Sequence, residues 1–275
     1  MKYLIQTSSI DTEKSKDTDY GRVVLDTTDS SVYVVGYGIN YKTVDLGLTS
    51  GTLWMDRNVG AEKPEDYGLY FAWGETQGYT ADEVGKTKQF SWADYKYANG
   101  AYNKLTKYCN NSSYGNDGFT DNLTTLETTD DSALQNAHKF VMPTKEQFVE
   151  LIKETDVYCI KADSTEVHGT YQEDTEEGQL MIVWDSDIDD SEKLSGIEFR
   201  RKSDNSIKVF VPCAGGGDGG SMTYVGLSCG LWAVSLDEDS PDYAWGLGFH
   251  CDGGGCYDGY RYIGLPVRGV VAAAQ

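Results

Sequence analysis

Basic residues are scarce in this chain: 23 Lys and Arg stand against 44 Asp and Glu, for a formal net charge of −21. Nucleic-acid affinity comes largely from cations neutralising phosphates, so this balance excludes polynucleotide partners, and anionic membrane surfaces with them. Acidity otherwise favours solubility. The chain has no run of about 18 apolar residues, the length a spanning helix needs, and membrane insertion is not expected. The opening MKYLIQTSSIDTEK lacks the apolar stretch of a signal peptide, so the chain as given reads as soluble. Six cysteines, at 109, 159, 213, 229, 251 and 256, contain no CxxC pair. They match neither a zinc knuckle nor a dense disulfide scaffold.

Catalytic signatures are equally sparse. No Ser/His/Asp arrangement or metal-ligand spacing is present, and His138 and His168 have no sequence partners that suggest a site. GGGDGG at 215–220 is glycine-rich, but no helical period follows it, and a phosphate cradle needs that helix. Asp185, Asp187 and Asp189 imitate the start of a calcium loop. An EF-hand then requires Gly at its sixth position and Glu at its twelfth, where this chain has Asp190 and Gly196. No catalytic residue, metal or cofactor is expected.

What the chain does have is aromatic: 20 Tyr and 6 Trp in 275 residues, with apolar residues at 39%. That is enough for one large domain with an appendage, or for two domains. Tyr offers rigid, amphipathic contact area suited to recognition. The same rings can equally pin the loops of a loop-rich fold, and both readings stand.

Strand-like runs at 22–26 and 31–39 around TTDSS suggest a small β hairpin or docking element over residues 1–43. Pairing of that element between chains would make an oligomer. From Val44, VDLGLTSGTLWMDRNVG reads as strand, turn and strand. In PEDYGLYFAWGE, Pro64 suits a first helical turn and Gly74 a stop. Residues 75–137 read as loops anchored by Trp92, Tyr95 and Tyr108. Thr144 and Gln147 form a capping-box pattern ahead of a helix over 145–155, whose apolar face is Phe148, Leu151 and Ile152. Strands are expected at 180–184, 197–200, 207–212, 231–236, 243–250 and 262–270. The fold class is therefore α+β with abundant irregular structure.

Six segments in this order, VDLGLTSGTLWMDRNVG, YGLYFAWGE, FVMPTKEQFVELI, IKVFVPCAGG, LWAVSL and RYIGLPVRGV, resemble the Fibrobacter succinogenes major paralogous domain family. Each is short; in order they are spread over residues 44–270. The resemblance implies a C-type lectin fold of the formylglycine-generating-enzyme-like branch over 44–271. Arg268 would follow a strand lying beside the domain's first strands, with long loops left on one face, where binding function concentrates.

A second resemblance is to the variable proteins of diversity-generating retroelements, in which adenine mutagenesis turns AAC codons into Asp, Gly, Ser, Tyr, His, Cys or Ile but never Lys, Glu, Gln, Met or Trp. Residues 246–268 contain none of those five types, and all ten Asn lie at or before Asn205. A glycine-rich loop of accidental composition is the plainer reading, since fifteen of the 31 Gly fall between 213 and 269. The retroelement resemblance implies a variable region over about 226–268 that binds a protein or glycan receptor on another cell. It also implies a phage tail tip or a bacterial surface as the location.

The residues expected to carry that binding follow from alternation. Gly246, Gly248 and His250 would share one face of a strand over 243–250, and a loop over 252–260 would follow. Tyr257, Tyr260 and Tyr262 are the candidate aromatic anchors, with Ile263 beside them. Asp252 and Asp258 are polar contacts, and Asp242 and Tyr243 stand at the approach. Gly253, Gly254, Gly255 and Gly259 would leave hollows next to Cys256. Cys251 and Cys256 also resemble the copper-binding cysteine pair of formylglycine-generating oxidoreductases, although the Arg-rich surroundings of that signature are missing. An invariant carbohydrate-binding adhesin module is a third reading. Trp232, Trp245, Leu247, Phe249, Leu265 and Val267 are the expected core positions. For the fold, the expected outcome is that residues 46–53 lie beside 266–270, and a structure that separates them rules the C-type lectin assignment out.

Overall fold

The computed structural model describes residues 41–173 and 181–271, and the strands Tyr20–Gly21 and Gly38–Ile39. The chain divides into two units, Met1–Lys42 and Thr43–Gln275. In the first, β1 (Tyr20–Gly21) pairs antiparallel with β2 (Gly38–Ile39). The run expected at 22–26, and most of that at 31–39, lie outside the described residues.

The second unit opens with β3 (Thr43–Asp45) and β4 (Leu53–Met55), antiparallel across a turn in which Gly47 and Gly51 have positive φ. After β5 (Tyr70–Phe71) comes a long irregular stretch, then α1 (Ser132–Ala137) and α2 (Lys145–Glu154). Strands β6 (Thr155–Lys161), β7 (Glu166–Tyr171), β8 (Ile182–Trp184), β9 (Leu194–Arg201) and β10 (Asp204–Pro212) follow. A small pair, β11 (Gly216–Asp218) and β12 (Ser221–Thr223), precedes β13 (Cys229–Leu236), β14 (Tyr243–His250) and β15 (Gly253–Tyr260). The described residues end on β16 (Leu265–Pro266) and β17 (Val270–Val271). With 38% strand and 10% helix the architecture is mostly β and loop-rich, which tilts the expected α+β balance toward sheet.

One eight-stranded antiparallel sheet, ordered β10-β9-β6-β7-β8-β15-β14-β13, carries the core. It curls around α2, whose Thr144–Gln147 capping box is formed in both directions and whose Phe148, Leu151 and Ile152 are buried. The halves of the sheet meet at Gly254 and Ile182, the only register pair between β15 and β8. Gly253 makes that approach possible: its φ is +131°, and a Cβ there would lie 2.2 Å from the Ile182 carbonyl oxygen. The far ends of the sheet also meet, because Cys213, just past β10, is disulfide-bonded to Cys229 at the start of β13, with Cα atoms 4.0 Å apart. Backbone hydrogen bonds from Gly226 to Cys213 and from Gly215 to Ser228 close the same seam.

The last strand lies beside the opening hairpin of this unit: β17 pairs with β4, Met55 N–H donates to Gly269 and Val59 N–H to Val267. Between them Arg268 is fully buried, donating to Asn58 Oδ1 at 3.0 Å and to the Phe210 carbonyl.

Four expectations are corrected. Residues 64–74 are not helical. Gly68 takes φ +77°, and Tyr70, Phe71, Ala72 and Trp73 are all buried, a run apolar on every side rather than along one stripe. Tyr70 hydroxyl, Trp73 Nε1 and Trp232 Nε1 bond this run to carbonyls of Ala214, Ala233 and Phe71 respectively. The strand expected at 262–270 is split into β16 and β17, since Ile263 N–H turns back to Tyr260 and Pro266 lacks an N–H for a continuous ladder. The loop expected at 252–260 is strand β15, paired with β14 over its whole length. Trp245, expected in the core, is half-buried, with Lys145 Nζ 3.0 Å above its ring; the other five expected core positions are buried.

Because the disulfide closes a sixteen-residue separation, replacing Cys213 and Cys229 together by Ser should cost about 3 kcal/mol of stability. Chemical denaturation of oxidised protein and of that double variant checks this.

Candidate functional site

The β14–β15 hairpin holds most of the candidate residues, and its pairing decides which side chains meet. Tyr243 lies opposite Tyr260, Gly246 opposite Tyr257, Gly248 opposite Gly255 and His250 opposite Gly253. Seven residues separate Tyr243 from His250, roughly 23 Å of strand. The candidates thus fall into two groups at opposite ends of one hairpin, not onto the single face expected.

At the turn end, Gly248, His250, Asp252, Gly254, Gly255 and Tyr257 line a cleft of about 420 Å³ with Ser228 and Phe249. His250 and Asp252 are exposed, and Gly248 and Tyr257 half-buried. The Tyr257 ring lies across the glycine floor: a Cβ on Gly248 would come within 2.5 Å of two ring carbons, and one on Gly230 within 3.1 Å of the Tyr257 hydroxyl. Burial pushes the Tyr257 phenol up from its ordinary value, with Asp258 adding to the effect.

At the other end, Tyr243, Tyr260 and Tyr262 join Trp92 in an aromatic ridge. Tyr260 stacks on Tyr262 with centroids 5.6 Å apart and planes 17° from parallel, and Tyr243 sits 4.3 Å from Tyr260. Trp92 meets Tyr262 at 5.1 Å and Tyr260 at 6.1 Å. Tyr260 is 37% exposed; Tyr243, Tyr262, Ile263 and Trp92 are half-buried. Burial raises the Tyr262 phenol, helped by the carboxylate of Asp218.

Arg261, between the ridge residues in sequence, points inward and is 0% exposed. Its guanidinium donates to the Tyr95 hydroxyl and to the carbonyls of Tyr108, Pro241 and Lys107, and it lies 4.8 Å from the Trp73 ring centroid. It therefore holds the 95–108 loop, which carries part of the ridge's support, against the end of β15. Lys107 is fixed in turn by Asp130, which accepts from Lys107 Nζ at 2.6 Å and from the Tyr108 hydroxyl at 2.7 Å. Burial works to raise the Asp130 carboxyl, but hydrogen bonds from Lys107, Tyr97 and Tyr108 outweigh it and hold the group at about 2.

Several candidates do not face solvent. Gly246, Gly253, Gly254, Gly255 and Cys256 are buried, and so is Asp242, which immediately precedes β14 and whose carbonyl accepts the Arg261 N–H. Asp258 and Gly259 are half-buried, with the Trp232 ring 3.3 Å from where a Gly259 Cβ would sit. Cys256 belongs to the core cluster and burial pushes its thiol up to about 12. Cys251 lines a different cleft, with Val183, Trp184, Ser186, Asp187, Ile188 and Asp252, and burial raises its thiol as well. Raised thiols are poor nucleophiles and poor metal ligands until something deprotonates them. Ser228 and Asp187, which complete the two clefts, carry no sequence signal linking them to the hairpin.

No family model, no curated protein and no solved structure matches this chain.

Two outcomes are expected from this geometry. Gly248→Ala should cost about 1–3 kcal/mol by overpacking, and much less in a Tyr257→Ala background, a coupling that a double-mutant cycle of urea midpoints reads directly. Asp130 titrates lower folded than unfolded, so its stabilisation is full above about pH 4 and disappears as pH falls toward 2. Wild type should lose about 2 kcal/mol over that window relative to Asp130→Asn, measured by urea denaturation across pH 2–6.

Proposed function

We propose that this protein is a ligand-binding protein of C-type lectin fold, and that the β14–β15 hairpin and its surroundings form a surface diversified by a retroelement. The partner is a protein or glycan receptor on another cell, met from a phage tail tip or a bacterial surface. The last strand beside the β3–β4 hairpin supports the fold reading, as does the irregular stretch between β5 and α1. The disulfide suits an oxidising exterior.

The observation that carries the functional reading is the division of burial within the hairpin. Leu247 and Phe249 are 1% exposed and Cys256 is 3% exposed, whereas Gly248, His250, Asp252, Tyr257, Asp258 and Tyr260 all retain access to solvent. Truncating a large buried side chain costs about 2–5 kcal/mol, against a total stability of about 5–15 kcal/mol. Only the second set can therefore vary while the fold survives. The exposed Tyr260 and the half-buried Trp92, Tyr243 and Tyr262 of the ridge are residue types that carry binding energy at small cost in side-chain entropy.

Sequencing the DNA around the gene tests the reading. A reverse-transcriptase gene should lie nearby, with a near-copy of the region holding AAC where this gene encodes the exposed set. A locus with neither removes the retroelement. In parallel, Phe249→Ala should lower stability in urea by the amount expected for a core truncation, while His250→Ser changes it by no more than about 0.5 kcal/mol.

A further inference from the structure

Three different metal-donor side chains converge at the tip of the β14–β15 hairpin. His250 ends β14, and Cys251 and Asp252 form its two-residue turn, so their side chains leave the backbone from one point. Their ligand atoms, an imidazole nitrogen, Sγ and a carboxylate oxygen, all lie within 4.8 Å of one another. His250 Nδ1 already faces the carboxylate, 3.6 Å from Asp252 Oδ2, and accepts the Asp252 N–H at 3.2 Å. Cys251 and Asp252 share a cleft with Asp187, which adds a second carboxylate to its wall.

We infer that His250, Cys251 and Asp252 form a binding site for a divalent transition-metal ion of borderline softness, zinc being the type case. The donor set selects the class. A thiolate and an imidazole favour zinc, cobalt or copper, whereas calcium and magnesium require oxygen ligands throughout. Ligand atoms around a tetrahedral ion sit closer together than 4.8 Å, and a turn exposed at its tip can close by that margin. On binding, Cys251 forms the metal–sulfur bond and its thiol proton is released to solvent, which makes affinity rise with pH. Three protein ligands leave one tetrahedral position for water or a donor from a bound molecule. His250 and Asp252 are also on the rim of the glycine-floored cleft, so that position adjoins the cleft. The site stands on its own geometry and does not require the hairpin to be diversified.

Titration of the full chain with cobalt(II), without added thiol, tests the inference through the near-ultraviolet band of cobalt–thiolate bonding. The expected result is a saturable band at one ion per chain that zinc displaces and calcium does not. Cys251→Ser should abolish it, although Cys109, Cys159 and Cys256 remain as free thiols. His250→Ala and Asp252→Ala should each weaken binding at least roughly tenfold. Circular dichroism checks that each variant is folded. If Cys251→Ser fails to fold, the two alanine variants decide. No band, a band retained in folded Cys251→Ser, or affinity unchanged in both His250→Ala and Asp252→Ala overturns the site.

Discussion

The buried guanidinium of Arg261 holds together parts of the chain that no sheet ladder connects. Among the described residues it reaches three carbonyls and one hydroxyl from three separate segments, and it lies among the rings of Trp73, Tyr95 and Tyr108. Hydrogen bonds to a charged group are individually strong, and a buried carbonyl left without its donor carries the full cost of desolvation. Because Arg261 immediately follows β15, its partners place the 95–108 loop directly under the aromatic ridge. Backbone bonds within the loop, such as Thr106 N–H to the Tyr97 carbonyl, shape it locally, while Arg261 and the Asp130–Lys107 pair tie it to the rest of the unit. A lysine there would supply the charge without the planar fork that reaches divergent acceptors.

The hairpin that bears both candidate regions is supported differently at its two ends. Near the turn, support comes from packing: Leu247, Phe249 and Cys256 press on the core, and Gly253 lets the strand touch β8. Near the ridge, support is polar and aromatic, through Arg261, Tyr95 and Trp92. The first kind tolerates change in the exposed side chains of the turn, because no core contact runs through them. The second ties ridge residues to one another, since each ring is held by the next.

Elements with a local signal were legible in the sequence. The α2 capping box and its apolar face are explicit in TKEQFVELI, and β14 alternates as a half-buried strand must, so its bounds follow from pattern alone. Strand β15 was not legible, because GGGCYDGY has neither the alternation nor the β-branched residues of a strand; it pairs because β14 offers it a complete ladder. The run at 70–73 misleads through Pro64 and Gly74, which look like helix punctuation while the burial on all sides comes from chain elements far away. The same distance hides the site. Cys213 and Cys229 show no motif, and Arg261 finds its acceptors at 95, 107, 108 and 241. Most candidate residues share the β14–β15 hairpin, but their division between its two ends depends on pairing register, which composition does not encode.

The Tyr257 ring resting on Gly248 links two positions that a codon-level process would alter independently. Side-chain volume on one strand is room withdrawn from the other, so a bulky residue at 248 is compatible only with a small or displaced one at 257. Variants of this chain that differ at both positions should therefore show compensating sizes, tight at one where the other is large. The number of distinct surfaces the turn end can present is smaller than the product of its residue choices, and the forbidden combinations are those that would fill the cleft from both sides at once.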